Sequence, residues 1–157
     1  MNVLVTGGAG YIGSTLIRML LDKGYKVKCL DRFFFGKDSL ADVASNPNLE
    51  LIKDDVRWFD PKILKDVDTV VDLAALSNDP SGELDPIKTL DINYLGRVRV
   101  AKLSKEYGVK RYILASSCSV YGFREDTILN ESSPTNPLTT YAKANVMAEK
   151  DVLPLAD

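Results

Sequence analysis

The residues TGGAGYIG, Thr6–Gly13, follow a β-branched run, NVLVT, and lead into a segment with helical apolar spacing. Gly7, Gly10 and Gly13 recur every third residue. Without side chains, such positions permit a tight turn, bring backbone N–H groups close to a pyrophosphate, and let a helix press against a sheet. A glycine turn can also be a mere connector. The strand before it and the helix after it are the context in which it reads as a dinucleotide loop.

The rest of the chain repeats that order. Residues 2–6, 26–31, 49–54, 69–75 and 111–117 read as strands. Residues 11–23 carry Ile12, Leu16, Met19 and Leu20 at helical spacing. Residues 37–45 are weakly helical, 60–66 a short helix, 86–107 a long amphipathic helix ended by Gly108, and 141–153 a helix that Leu153-Pro154 should end. Between them, 77–86 is an acidic, turn-rich loop and 122–138 a polar, proline-containing one. Strands separated by helices imply right-handed crossovers and a parallel sheet. The fold class expected is therefore α/β, a doubly wound parallel sheet of Rossmann type, truncated after the fifth strand and the helix at Tyr141. Ligands of such sheets bind beyond the carboxyl ends of the strands. Residues 1–157 are read as one incomplete domain whose substrate-binding part lies elsewhere.

Composition narrows the chemistry. The chain has 157 residues, a net charge of −2 and no histidine. The charge gives no footprint for nucleic acid or a membrane surface. The absent histidine removes Ser-His-Asp hydrolysis and most zinc sites, so no metal is expected. No apolar run approaches the ~20 residues of a membrane span, and no signal peptide is visible. Cys29 and Cys118 sit in apolar stretches and read as buried thiols of a cytoplasmic protein.

Asp31 ends the second strand, eighteen residues beyond Gly13. That is close to the ~20 expected for the carboxylate that holds the adenosine ribose. It favours NAD, because a carboxylate repels the 2′-phosphate of NADP. The neighbouring Arg32 could instead pair with that phosphate. The aromatic run Phe33–Phe35 reads as packing.

With these motifs the chain resembles the extended short-chain dehydrogenase/reductase superfamily, the nucleotide-sugar epimerases and dehydratases, over its full length. By that resemblance Tyr11 and Ile12 join the three glycines at the cofactor. DDVR (54–57) is similar to the adenine-contacting turn and assigns Asp55 and Val56. LAA assigns Leu73, Ala74 and Ala75 beneath the nicotinamide half, and Asn93 in DINYLG matches a helix asparagine beside that segment. SSCSVYG (116–122) is similar to the catalytic serine strand and selects Ser117, and YAKAN (141–145) stands where the family has Y-x-x-x-K. The resemblance implies that Ser117 hydrogen-bonds the substrate oxygen and that Tyr141 is the acid/base.

Asn145 occupies the lysine position of that motif. A free phenol ionises near pH ~10, so a tyrosinate base needs a positive charge beside it. Three readings follow. Lys143 or another cation reaches in, Asn145 and NAD suffice with slower chemistry, or the site binds cofactor without turnover. Replacing Asn145 with lysine should speed an impaired enzyme, whereas a cofactor sensor should show no turnover either way. Cys118 and Ser119 stand where the dehydratases carry an Asp-Glu pair, which argues against dehydration. The resulting expectation is an NAD-dependent epimerase-like oxidoreductase acting on a nucleotide-sugar, a homodimer through the helices at 86–107 and 141–153. The alternatives are a non-catalytic NAD sensor and a dehydrogenase of a small hydroxy or amino acid.

Overall fold

Five parallel strands form one sheet in the order β3-β2-β1-β4-β5: β1 (Asn2–Thr6), β2 (Lys26–Asp31), β3 (Leu49–Lys53), β4 (Thr69–Asp72) and β5 (Arg111–Leu114). The structure is a computed structural model and describes residues 1–125 and 128–156. Within the expected loop 122–138, residues 126 and 127 lie outside the described residues. The chain winds outward from β1 to β3, then returns to place β4 on the other side of β1. The crevice between β1 and β4 is therefore the point where strand order reverses.

β1 is buried because both faces of the sheet are covered. Val3 and Val5 point into a core with Ile17, Leu21, Val27 and Cys29, beneath α1 (Tyr11–Asp22). Leu4 points the other way, into a core with Leu30, Phe59, Val70 and Val100, beneath α4 (Arg97–Glu106). The alternation follows the two-residue period of a strand. In α1 the buried face is Gly13, Ser14, Ile17 and Leu21, one step round from the expected stripe, and Ile12 and Met19 are exposed. Gly13 sets that face. A methyl on it would stand 2.4 Å from the Gly7 carbonyl oxygen and 2.7 Å from Gly8 Cα.

Several elements differ from expectation. The long helix 86–107 is three pieces: α3 (Pro86–Leu90), a π-helical segment (Asp91–Gly96), and α4. Residues 77–86 are largely exposed but are not a loop. They contain α2 (Asp79–Leu84), capped by Asn78, whose side chain accepts from the Ser81 N–H at 2.8 Å. The helices expected near 37–45 and 60–66 are single 3₁₀ turns, Asp38–Leu40 and Pro61–Leu64. β4 and β5 stop early, at Asp72 and Leu114, because the chain beyond them splays out to line a cleft. α5 (Thr140–Val152) ends just before Pro154, as its ring requires. Cys29 is buried, but Cys118 is exposed at a 3₁₀ turn beyond β5, so only one of the two thiols belongs to the core.

Gly13→Ala would force α1 away from the β1 turn, because both clashing neighbours are backbone. We expect a loss of about 1–3 kcal/mol, the usual cost of overpacking, read by chemical denaturation. A variant as stable as the original would show that the helix can retreat freely.

Candidate active site

A cleft of about 660 Å³ opens at the carboxyl ends of the strands. Its upper wall is the glycine loop. Gly7 adopts φ +66°, a conformation that favours glycine. There the loop passes within 2.9 Å, measured from a built Cβ, of the Ala74 backbone. Gly10 caps α1 with no side-chain hydrogen bond and no acid in the first turn. The free N–H groups and positive end of the helix dipole therefore face the cleft uncompensated. A methyl on Gly10 would meet only the Gly7 oxygen, at 3.2 Å, and would otherwise project toward that space. The donors and the room fit a diphosphate.

Asp31 lies at one end. Its carboxylate accepts from the N–H of Ala9 at 3.0 Å and of Phe33 at 2.7 Å. Further acceptor capacity remains for ribose hydroxyls. Arg32 does not stand free: it pairs with Asp55 and lies over the Phe34 ring at 4.5 Å. Asp55 is buried, and Arg57 grips it through Nε at 2.9 Å and Nη2 at 2.8 Å while reaching Asp91 at 2.7 Å. Burial opposes ionisation of Asp55. The hydrogen bonds from Arg57 and Arg32 outweigh it and hold the carboxyl down at about 2. The aromatic run divides: Phe33 packs on the core, whereas Phe34 and Phe35 are exposed at the cleft edge, Phe35 at 98%.

The floor is Leu73–Ala75. The N–H groups of Leu73 and Ala74 both donate to Thr6 Oγ1 at 3.1 Å. Asn93 lies directly behind this floor, fully buried. It accepts from the Leu76 N–H at 2.8 Å and donates to the Leu76 carbonyl at 3.0 Å. Every cofactor position expected from the sequence lines the cleft except Asn93, which clamps its floor from behind.

Ser116 and Tyr141 border the opposite end. Ser116 donates to Glu149. Ser117, one residue further, accepts from the Ser119 N–H at 3.2 Å and the Ser119 hydroxyl at 2.9 Å, which leaves its own O–H to donate. Tyr141 is held by its surroundings. Thr139 caps α5 and donates to Asp79, Glu83 accepts from the Thr140 N–H at 2.6 Å, and Gly82 lets α2 pack close to Tyr141. Lys143 is exposed, as its place two residues along the helix requires.

Asn145 is buried, and both polar atoms of its side chain bond to protein. Nδ2 donates to the Tyr141 carbonyl at 3.0 Å, and Oδ1 accepts from Arg97 Nη1 at 2.9 Å. Arg97 was not singled out by the sequence. A signal was present: Arg97 falls in register with Val100, Ala101 and Ser104, the buried face of α4. A charged residue within an apolar stripe marks either a paired core ion or a site.

The Asp55 network has a pH signature. Its carboxyl is lowered from 3.8 to about 2. The stability it contributes is therefore complete above its unfolded value and lost as pH falls toward 2. In Asp55→Asn, the fall in unfolding free energy between about pH 4.5 and about pH 2.5 should be smaller by about 1.5 kcal/mol, measured by urea titration at both pH values. Equal falls would remove Asp55 as a contributor.

The sequence profile of the NAD dependent epimerase/dehydratase family matches residues 3–157. The UDP-glucose 4-epimerase of Lactobacillus helveticus is 33% identical over 154 residues, covering 96% of this chain and 46% of that protein. The UDP-N-acetylglucosamine 4-epimerase of Methanobrevibacter ruminantium M1, solved with UDP-N-acetylmuramic acid, superposes with a TM-score of 0.91 at 34% identity, covering 98% of this chain and 49% of that one. The dTDP-glucose 4,6-dehydratase of Streptomyces venezuelae, solved with NAD bound, gives 0.88 at 30% identity, over 96% of this chain and 50% of that one. The chain spans about half the length of the curated epimerases it matches. On the glycine loop, the strand order and a profile match over nearly its whole length, the chain belongs to the NAD dependent epimerase/dehydratase family.

Proposed function

We propose that this chain is the NAD-binding portion of an epimerase-like oxidoreductase that acts on a nucleotide-linked sugar. One observation carries the reading: a single cleft joins the glycine loop, Asp31, the Leu73–Ala75 floor and Tyr141. NAD, when bound, supplies the hydride acceptor. The α1 N-terminus holds the diphosphate and Asp31 accepts from the adenosine ribose. Ser117 donates its O–H to the sugar oxygen, and Tyr141 takes and returns the proton on that oxygen. Asp31 at the ribose, with Arg32 committed to Asp55, supports NAD over NADP. The absence of an acid pair at Cys118 and Ser119 supports epimerisation over dehydration.

The second reading, an NAD-binding protein without turnover, draws on Asn145, which carries no charge. The homodimer belongs to the same proposal. Leu95, Met147 and Leu153 are exposed on the helical segments that would meet. Gel filtration at high concentration that returns only monomer would count against it.

Calorimetric titration with NAD and with NADP tests the cofactor reading. NAD should bind, with NADP at least about tenfold weaker, some 1.4 kcal/mol. Gly10→Ala should lose most NAD affinity while keeping stability within about 1 kcal/mol, because its methyl enters open cleft. Binding of neither nucleotide would sink the proposal.

A further inference from the structure

The cleft wall contains a buried cation that the roles above leave unused. Arg97 is 2% exposed, Asp72 0% and Asn145 1%. A guanidinium carries five N–H donors and requires acceptors for them when buried. Nε donates to Asp72 Oδ2 at 3.3 Å. Nη2 donates to the backbone carbonyls of Asp72, at 3.3 Å, and of Ala115. One Nη1 hydrogen goes to Asn145 Oδ1 at 2.9 Å. The fifth hydrogen, also on Nη1, has no partner among the described residues. Arg97 borders the cleft beside Ala115, Ser116 and Tyr141, whereas Asp72 and Asn145 do not.

We propose that Arg97 is the cationic donor of the Tyr141 end of the cleft: Asp72 anchors it, Asn145 orients it, and its remaining N–H donates to a hydroxyl oxygen of the bound dinucleotide. This rests on the NAD reading of the cleft. It also changes the meaning of Asn145. The residue beside a buried guanidinium must offer an acceptor, and an amide oxygen does so without adding charge. An ammonium there would offer none and would set two cations in contact. Lysine at 145 is therefore harmful in this chain unless Arg97 is removed as well.

A double-substitution cycle read by NAD calorimetry and thermal melting tests both halves. Arg97→Met should weaken NAD binding about 10- to 100-fold, the range for losing a hydrogen bond from a charged donor. Asn145→Lys should melt well below the unsubstituted chain. In the Arg97→Met, Asn145→Lys pair, the melting temperature should exceed that of Asn145→Lys alone, and NAD affinity should recover at least about tenfold over Arg97→Met, because the ammonium fills the vacated cation site. Should Arg97→Met not fold, Arg97→Lys keeps the cation and Arg97→Gln only a donor. The lysine variant should then bind NAD more tightly, and equal affinities overturn the proposal. So does Arg97→Met binding within about threefold of the original, or an Asn145→Lys chain of undiminished stability. If the unsubstituted chain binds no NAD, the reading of the cleft falls and the donor role with it. If it binds and Arg97→Met binds equally, only the donor role falls.

Discussion

The carboxylate of Asp72 ties the carboxyl ends of β1, β4 and β5 to the helix that carries Tyr141. It ends β4, directly beside Thr6 of β1 in the sheet register. Fully buried, it accepts from Thr6 Oγ1, from the Tyr112 hydroxyl at 2.5 Å and from Arg97. Burial first, and then this carboxylate, push the Tyr112 phenol well above its ordinary value, so it stays protonated and donates. Thr6 in turn receives the N–H groups of the cleft floor, and Arg97 reaches Asn145 in α5. Buried ions of this kind contribute little net stability when paired and cost much when one partner is lost. Their value here is geometric: one carboxylate fixes the floor and the Tyr141 end with respect to each other.

The sheet was legible because its signals are local. Period-two alternation in β1, β-branched residues in β4 and the glycine punctuation need no tertiary information, and the intervening helices then imply right-handed crossovers and parallel strands. What was not legible depended on partners distant in sequence. The segment DPSGEL reads as a turn because of Pro80 and Gly82, yet proline fits a first helical turn and glycine is what close packing against Tyr141 requires. The strand ends were over-extended for the same reason. Residues 73–75 and 115–117 are as apolar or small as the strands they follow, but Leu73 and Ala74 turn N–H groups to the Thr6 side chain and Ala115 gives its carbonyl to Arg97. Cys118 sits in a strand-like sequence and is exposed because that strand had already ended. Among the candidate site residues, the glycines and Asp31 were readable from spacing. Arg97 was hidden in a basic run in which Lys102 and Lys105 face outward and Arg99 is half-buried against Phe59.

Charge pairing also shapes what the cleft can bind. Its arginines are not free. Arg32 is matched to Asp55, and Arg97 to Asp72. The positive field that remains uncompensated is the α1 N-terminus, a diffuse one suited to a diphosphate bridge and not to a separate phosphomonoester. At its far end Asp31 adds negative charge to the cleft, and Arg57 holds Asp55 from the protein side together with Asp91. Arg32, the guanidinium next to Asp31 in sequence, is already engaged by Asp55 and is not free to receive a further anion there.

The π-helical segment explains how one helix supplies both clamps. Thr89, Asn93, Arg97 and Ala101 are all buried, each four residues after the last. In an uninterrupted α-helix each such step overshoots a full turn by about 40°, so the fourth residue would lie well round the helix from the first. The wider turn at Asp91–Gly96 offsets that drift and keeps the four on one side. Asn93 thereby stays behind the cleft floor while Arg97 reaches the ends of β4 and β5. A straight helix that held Asn93 on Leu76 would carry Arg97 away from Asp72, and a charged side chain would be buried without its anion. Given Arg97 in that place, the facing position on α5 requires an acceptor, and Asn145 follows from the same geometry that placed the arginine.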